Sequence, residues 1–417
     1  ENYLDLYPED KITSASFPEN ESDIKLLLNG VYAQLREKEV YNQGLFGFGI
    51  TDGATPNAFN WGTDEVFNKL GAGRLSSSDG GVVTYRWKRC YEIISRANYL
   101  LACMDLVDLS EEAKAKYSGE THFLRGLAYS VLAETYGGVP IILTNISTEE
   151  ARSLKRASLE ETWQQALDDY EVAITNLGVD APEPGRATKG AALGMKMRAY
   201  LYQGKYKEVL ACVEQIDALK KYGLFHSYEG LFDPANENNK EVLFDIQYIE
   251  GENSQGSYID QYCGTGTGSW TRGSRYVPTD DLVAAYETID GSPVDPENPY
   301  ENRDPRLGFT AVLPGSYFLG YRFPNYLYPG GAFNHAGNRL KHLSTRKYRI
   351  QDESKLPPSG QSYINDIILR YADVLLSKAE AIIETNGNVA DAIAILNRIR
   401  TERDDVKISL LPTSMSR

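Results

Sequence analysis

No run of apolar residues here approaches the roughly 18–20 that a membrane-crossing helix requires, and the chain opens on polar ENYLDLYPED. Neither a transmembrane span nor a signal peptide is therefore expected within it; the reading is of a cytoplasmic chain or one already processed. Basic clusters are also missing. Acids outnumber bases 58 to 43, giving a formal net charge of −15, and a surface of that sign repels phosphate backbones and argues against nucleic-acid binding. Cysteine is scarce, with four residues and no CxxC pair. Cys90 and Cys103 fall on one predicted helix about 20 Å apart at 1.5 Å per residue, too far for a disulfide. Buried unpaired thiols are the expectation for Cys90, Cys103 and Cys212. The four histidines, His122, His226, His335 and His342, form no HExxH spacing, and neither a GxSxG elbow nor a GxxxxGKS loop occurs. No catalytic residue, metal or cofactor is predicted.

What is present is the balance of a globular protein, 42% hydrophobic and 24% charged. The segment DIILRYADVLLSKAEAIIETNGNVADAIAILNRIR, residues 366–400, reads as two amphipathic helices closed by a turn at Asn386-Gly387. Ala372, Ala379 and Ala381 recur at helical spacing and let two backbones approach closely. That is the pattern of one tetratricopeptide-like hairpin, and a second follows TKGAALGMKMRAYLYQGKYKEVLACVEQI, with Gly204 at its turn. Periodicity predicts further helices over 22–37, 84–107, 111–136 and 159–177, and the YGGVPIIL stretch ends one of them with two glycines and a proline. Residues 221–358 are dense in Gly, Pro, Asn and Tyr, with one clear helix near 279–288 and a short strand in EVLFDIQYI. So long a stretch is read as a loop-rich region packed on the helical scaffold.

Loops held by a rigid scaffold commonly carry binding residues. Tyrosine outnumbers phenylalanine 29 to 13, and a phenol offers a flat apolar face with a polar edge. Sugars need that combination, since the C–H face of the ring stacks on an aromatic while hydroxyls bond to Asn, Asp, Gln or Arg. Trp87 and Trp163 sit in strong helical patterns and read as core. Trp61 and Trp270 are flanked by Gly, Asn, Thr and Ser and read as stacking platforms, joined by Tyr258 and Tyr262. Asp52, Asn57, Asn60 and Arg272 are the candidate polar contacts.

The blocks ETHFLRGLAYSVLAETYGGVPIIL, RATKGAALGMKMRAYLYQGKYKEVL, VPTDDLVAAYETIDG with NRDPRL, and DIILRYADVLLSKAEA with LNRIR occur in an order that resembles the SusD/RagB family of Bacteroidetes outer-membrane lipoproteins. The opening YLDLYPED and LLLNGVYAQL are similar to that family's mature N-terminus. The resemblance implies a mainly α fold: one SusD-like domain over 1–417, its tetratricopeptide-like scaffold at 22–37, 84–220 and 366–400, its loop-rich ligand region, with short β-strands, at 38–83 and 221–365. It implies a non-enzymatic, cell-surface glycan-binding protein, lipid-anchored to the outer membrane through a cysteine upstream of this chain. Such a protein captures oligosaccharides for a SusC-like TonB-dependent transporter. Family members usually continue past the last helix, and that segment is absent here.

The family blocks read as structural. Asp290-Gly291 and Asp304-Pro305-Arg306 are turns, and Arg370 to Glu380 are ridge residues between helices. Asp366, Asp373, Glu380 and Glu384 fall at helical spacings and read as a solvated face. The acidic DGSPVDPENPYENRDPRL could supply oxygen ligands to calcium but lacks the EF-hand order of acids, so it reads as a solvated loop. Two rival functions carry different signatures. A peptide-binding tetratricopeptide-like scaffold would use its helical groove, and an all-helical glycoside hydrolase would need two carboxylates about 5 to 9.5 Å apart in a cleft.

Overall fold

A computed structural model describes residues 17–36, 51–60, 69–76, 78–251, 256–257, 276–323, 343–358 and 361–412. Contacts group the chain into two compact units, the first built from Glu1–Gln34, Trp87–Asp180 and Arg186–Ala199, the second from the remainder.

In the first unit, α1 (Glu21–Ala33) starts at a reciprocal cap in which Asp23 N donates to the Asn20 side chain at 3.2 Å and the Asp23 carboxylate accepts from Asn20 N at 3.3 Å. Then come most of α2 (Val82–Cys103), α3 (Glu111–Tyr136), α4 (Thr148–Ser153), α5 (Leu159–Asn176) and most of α6 (Lys189–Tyr202). The α3–α5 pair is the main packing of this unit. Gly119 and Gly126 make it possible, because a Cβ on Gly126 would stand 3.1 Å from Ala166 O and from the Tyr170 ring. Across this seam Arg125 forks onto Asp169, Nη2 to Oδ1 at 2.7 Å and Nε to Oδ2 at 3.0 Å, both side chains buried. The predicted core role holds for Trp163, which is 5% exposed; Trp87 is only half-buried and meets the Tyr136 ring edge-on at 5.1 Å.

The second unit contains α7 (Tyr206–Ala218), α8 (Asp280–Ala285), α9 (Pro305–Thr310), α10 (Tyr371–Glu384) and α11 (Val389–Thr401). Its described strands pair as four two-stranded antiparallel ribbons: β1 (Ala58–Asn60) with β3 (Tyr276–Pro278), β2 (Val242–Ile246) with β8 (Asp366–Arg370), β4 (Ala311–Val312) with β7 (Ser344–Thr345), and β5 (Tyr317–Phe318) with β6 (Tyr321–Arg322). The α10–α11 hairpin closes at the expected turn. Asn386 takes φ +59° and Gly387 N donates to Ile382 O at 2.8 Å, where a Cβ would lie only 2.9 Å from that same oxygen. Ala372, Ala379 and Ala381 are buried as the spacing required.

One expectation fails at the start of this hairpin. Residues 366–370 are strand, not helix, because β2 supplies backbone partners and Tyr371 N donates to Glu241 O at 2.7 Å. Asp366 therefore leaves the solvated face assigned to it. It is 4% exposed, and burial reinforced by the nearby Asp245 charge pushes its carboxyl well above the usual range. Asp373, Glu380 and Glu384 remain at least partly exposed.

Candidate ligand-binding site

Before β1 the chain makes a 3-10 turn, Thr51–Ala54, closed by Thr55 N and Thr55 Oγ1 donating to Asp52 O at 2.9 and 2.7 Å. Pro56 then directs the chain into extended structure. β1 and β3 run in register Ala58 to Pro278, Phe59 to Val277 and Asn60 to Tyr276. The ribbon is locked at one end by Thr279, whose N donates to Asn57 O at 3.1 Å and whose hydroxyl donates to Pro56 O. The same hydroxyl accepts from Leu282 N at 3.1 Å and so caps α8. One side chain thereby fixes strand and helix together.

Ala58 and Val277 are buried, 7% and 4% exposed, whereas Phe59, directly opposite Val277 in the ribbon, stays 40% exposed, and Asn57 and Asp52 face solvent. At the far end of α8 Arg303 donates to Pro299 O, Val283 O and Tyr286 O at 2.6, 2.6 and 2.7 Å, a guanidinium set among the last carbonyls of that helix. The result is a rigid edge that presents a flat apolar ring beside an amide and a carboxylate.

Of the residues predicted from sequence, Asp52 and Asn57 meet on this edge, and Asn60 occupies its place in β1 opposite Tyr276. Trp61, Trp270, Tyr258, Tyr262 and Arg272, as well as Cys263, His335 and His342, lie outside the described residues. Phe59 was missed. Its signal was the two-residue offset from Asn57, but three residues of strand are too few for a period-2 pattern to stand out.

The acidic stretch beginning at Asp290 spends its oxygens locally. Asp290 accepts from Ser292 N at 3.0 Å and from its hydroxyl at 2.6 Å, which together with Asn302 hold its carboxyl down at about 2. Asp295 accepts from Glu297 N and the Asn298 amide. Among the described residues no grouping of three or more His, Cys, Asp or Glu could hold a metal ion. None of their helices is long and apolar enough to cross a membrane.

Two family profiles match the chain, one described as "SusD family" over residues 240–403 and one described as "Starch-binding associating with outer membrane" over residues 2–201. A SusD-like protein of Formosa agariphila is 26% identical across 96% of this chain and 78% of its own length. The chain belongs to the SusD/RagB family. Solved SusD-like structures agree with the helical scaffold described above. A SusD-like carbohydrate-binding protein of Bacteroides fragilis superposes with a TM-score of 0.82 at 26% identity, covering 95% of this chain and 80% of that one. A second SusD-like protein of the same species gives 0.80 at 25% identity over 98% and 83% of the two chains.

Proposed function

We propose that this SusD/RagB protein captures carbohydrate at the outer cell surface without cleaving it and passes it to a SusC-like TonB-dependent transporter. The ligand rests on the outward edge of the β1–β3 ribbon and on the rings of Trp61 and Trp270, with Asp52, Asn57, Asn60 and Arg272 bonding to hydroxyls. Tyr258 and Tyr262 extend the aromatic surface. A lipid anchor upstream of the chain tethers it to the membrane. The observation that carries the reading is the exposed Phe59 ring beside Asn57 on a ribbon locked by Thr279, the arrangement a sugar's apolar face and hydroxyls require. The printed description of the amino-terminal profile, starch binding in association with the outer membrane, supports the ligand class and the location. So does the carbohydrate-binding title of the Bacteroides fragilis relative.

A glycan array followed by titration calorimetry tests it. Each stacking ring contributes about 1 kcal/mol beyond area burial, so Phe59→Ala should weaken the best array ligand about fivefold. Its melting temperature should move little, because the ring is exposed. Undiminished affinity in Phe59→Ala, Trp61→Ala and Trp270→Ala alike would remove the site. Release of new reducing ends from a polysaccharide would overturn the non-catalytic part, and failure to co-purify with a TonB-dependent transporter from solubilised membranes would overturn the delivery part.

A further inference from the structure

The second unit contains a cavity of about 320 Å³ formed by the end of α8, the start of α9, one side of α10 and the end of α11. That is near the lower end of the volumes, about 300–1,000 Å³, that small-molecule sites occupy. Its lining is divided. Leu282, Ala372 and Leu376 supply an apolar wall, and Arg306, Arg370, Arg400 and Arg403 supply a cationic one.

The carboxylates near it leave part of that cationic wall unanswered. Glu287 takes Arg400 at 2.5 Å. Asp304 takes Nε and Nη2 of Arg306, and the third nitrogen, Nη1, has no partner among the described residues. Glu241, fully buried, must serve two arginines at once. It accepts from Arg403 at 2.7 and 2.8 Å, from Phe225 N at 2.7 Å and from only Nη1 of Arg370, at 2.8 Å. Nε and Nη2 of Arg370 therefore carry N–H groups without a protein acceptor among the described residues. Asp405 is committed to the Ser227 hydroxyl and to the backbone N–H of Tyr228 and Glu229.

A further cation adds to the field. The Lys347 ammonium forms no ion pair among the described residues and lies 4.5 Å from the Phe232 ring, 4.6 Å from Tyr348 and 5.7 Å from Tyr228. Tyr228, which lines the cavity, registers the result: burial works to raise its phenol, yet the charges of Lys347, Arg370 and Arg306 hold it below its ordinary value. Within a protein of net charge −15, this is a local concentration of positive groups, of which Arg306 and Arg370 keep donors without an acceptor among the described residues.

We propose that the cavity takes the anionic substituent of an acidic saccharide, a uronate carboxylate or a sulfate ester, with Arg306 and Arg370 donating to it. Planar guanidinium groups match both oxyanions in geometry and charge. The wall of Leu282, Ala372 and Leu376 receives the C–H face of the same ring. The proposal rests on the reading of the chain as a carbohydrate binder, and it narrows the ligand from glycans in general to charged ones.

The test compares three oligosaccharides on the full chain by calorimetry: a uronate oligomer, a sulfated oligomer, and the uronate oligomer with its carboxyls reduced to alcohols. The variant is Leu376→Glu, which adds a carboxylate at the cavity and, with Leu376 45% exposed, leaves the core intact; an unchanged melting temperature verifies folding. The expected result is that at least one acidic oligomer binds about tenfold or more tightly than its neutral counterpart, and that Leu376→Glu abolishes that margin. The two acidic arms tell carboxylate from sulfate. Equal affinity for acidic and neutral oligomers, or a margin indifferent to Leu376→Glu, overturns the cavity's role while carbohydrate binding itself stands. An acidic peptide that competes as strongly as the oligomer overturns the saccharide class. Binding of none of the sugars overturns both readings together.

Discussion

At the scale of single residues, the sequence spoke clearly where a side chain had a common role and poorly where its role depended on strands distant in sequence. Cys90, Cys103 and Cys212 are buried and in no disulfide among the described residues, as their apolar helical surroundings indicated. Asp366 was read as helical and solvated because its own neighbours are periodic, and nothing local reveals that β2 would claim it. The consequence is a buried acid cluster around the β2–β8 ribbon. Burial raises Asp366, with help from Asp245, and raises Asp245 to about 6 and Glu237 to about 7. A carboxyl whose folded pKa exceeds its unfolded value binds its proton more tightly in the folded state. Its stabilising contribution is thus complete at low pH and is lost as pH rises, here between about 4 and 7. Asp366→Asn removes one member without changing shape. Its melting temperature should fall less than the parent's between pH 4.5 and 7.5, and parallel curves from differential scanning calorimetry would refute the assignment.

Among elements, the helices were legible, with ends off by up to about five residues, and the ribbons were not. Helix α3 runs over the span its periodicity gave, α5 ends one residue early, and the α10–α11 turn is where Asn386-Gly387 placed it. These depend on local pattern and caps. The ribbons β1–β3 and β4–β7 join segments far apart in sequence through two or three residues each, a span too short to leave a periodic trace. The candidate site inherits that limit: Asp52 and Asn57 were proposed from residue chemistry, whereas the exposure of Phe59 follows from the pairing of β1 and the arginine-walled cavity from the packing of helices. Close approach of α3 and α5 at Gly126 leads to a prediction of its own. Gly126→Val would press two methyl groups toward the Ala166 carbonyl and the Tyr170 ring. Overpacking of this kind costs about 1–3 kcal/mol, so the urea midpoint should drop with an unchanged slope. An unaltered midpoint would mean that the seam yields freely.

For the molecule as a whole, composition excluded more than it specified. A net charge of −15 with no basic cluster disfavours phosphate backbones, but it could not foretell that positive groups gather at one cavity of the second unit, since average charge is silent about placement. The helical scaffold with an irregular, loop-bearing part was legible from the alternation of periodic and Gly-, Pro- and Tyr-rich stretches. The division into two compact units was not, because it follows from contacts between stretches far apart along the chain. That division, combined with where the sulfurs lie, gives the protein a built-in stopwatch. Cys90 and Cys103 are sealed inside the first unit and Cys212 inside the second, each at most 2% exposed. With Cys263 replaced by serine, a brief pulse of iodoacetamide should leave the native protein unmodified. Along a denaturant series, peptide mass mapping then dates the opening of each unit by which thiol is carboxamidomethylated first. Modification of any of the three in native buffer would show that its unit breathes far more than its packing indicates.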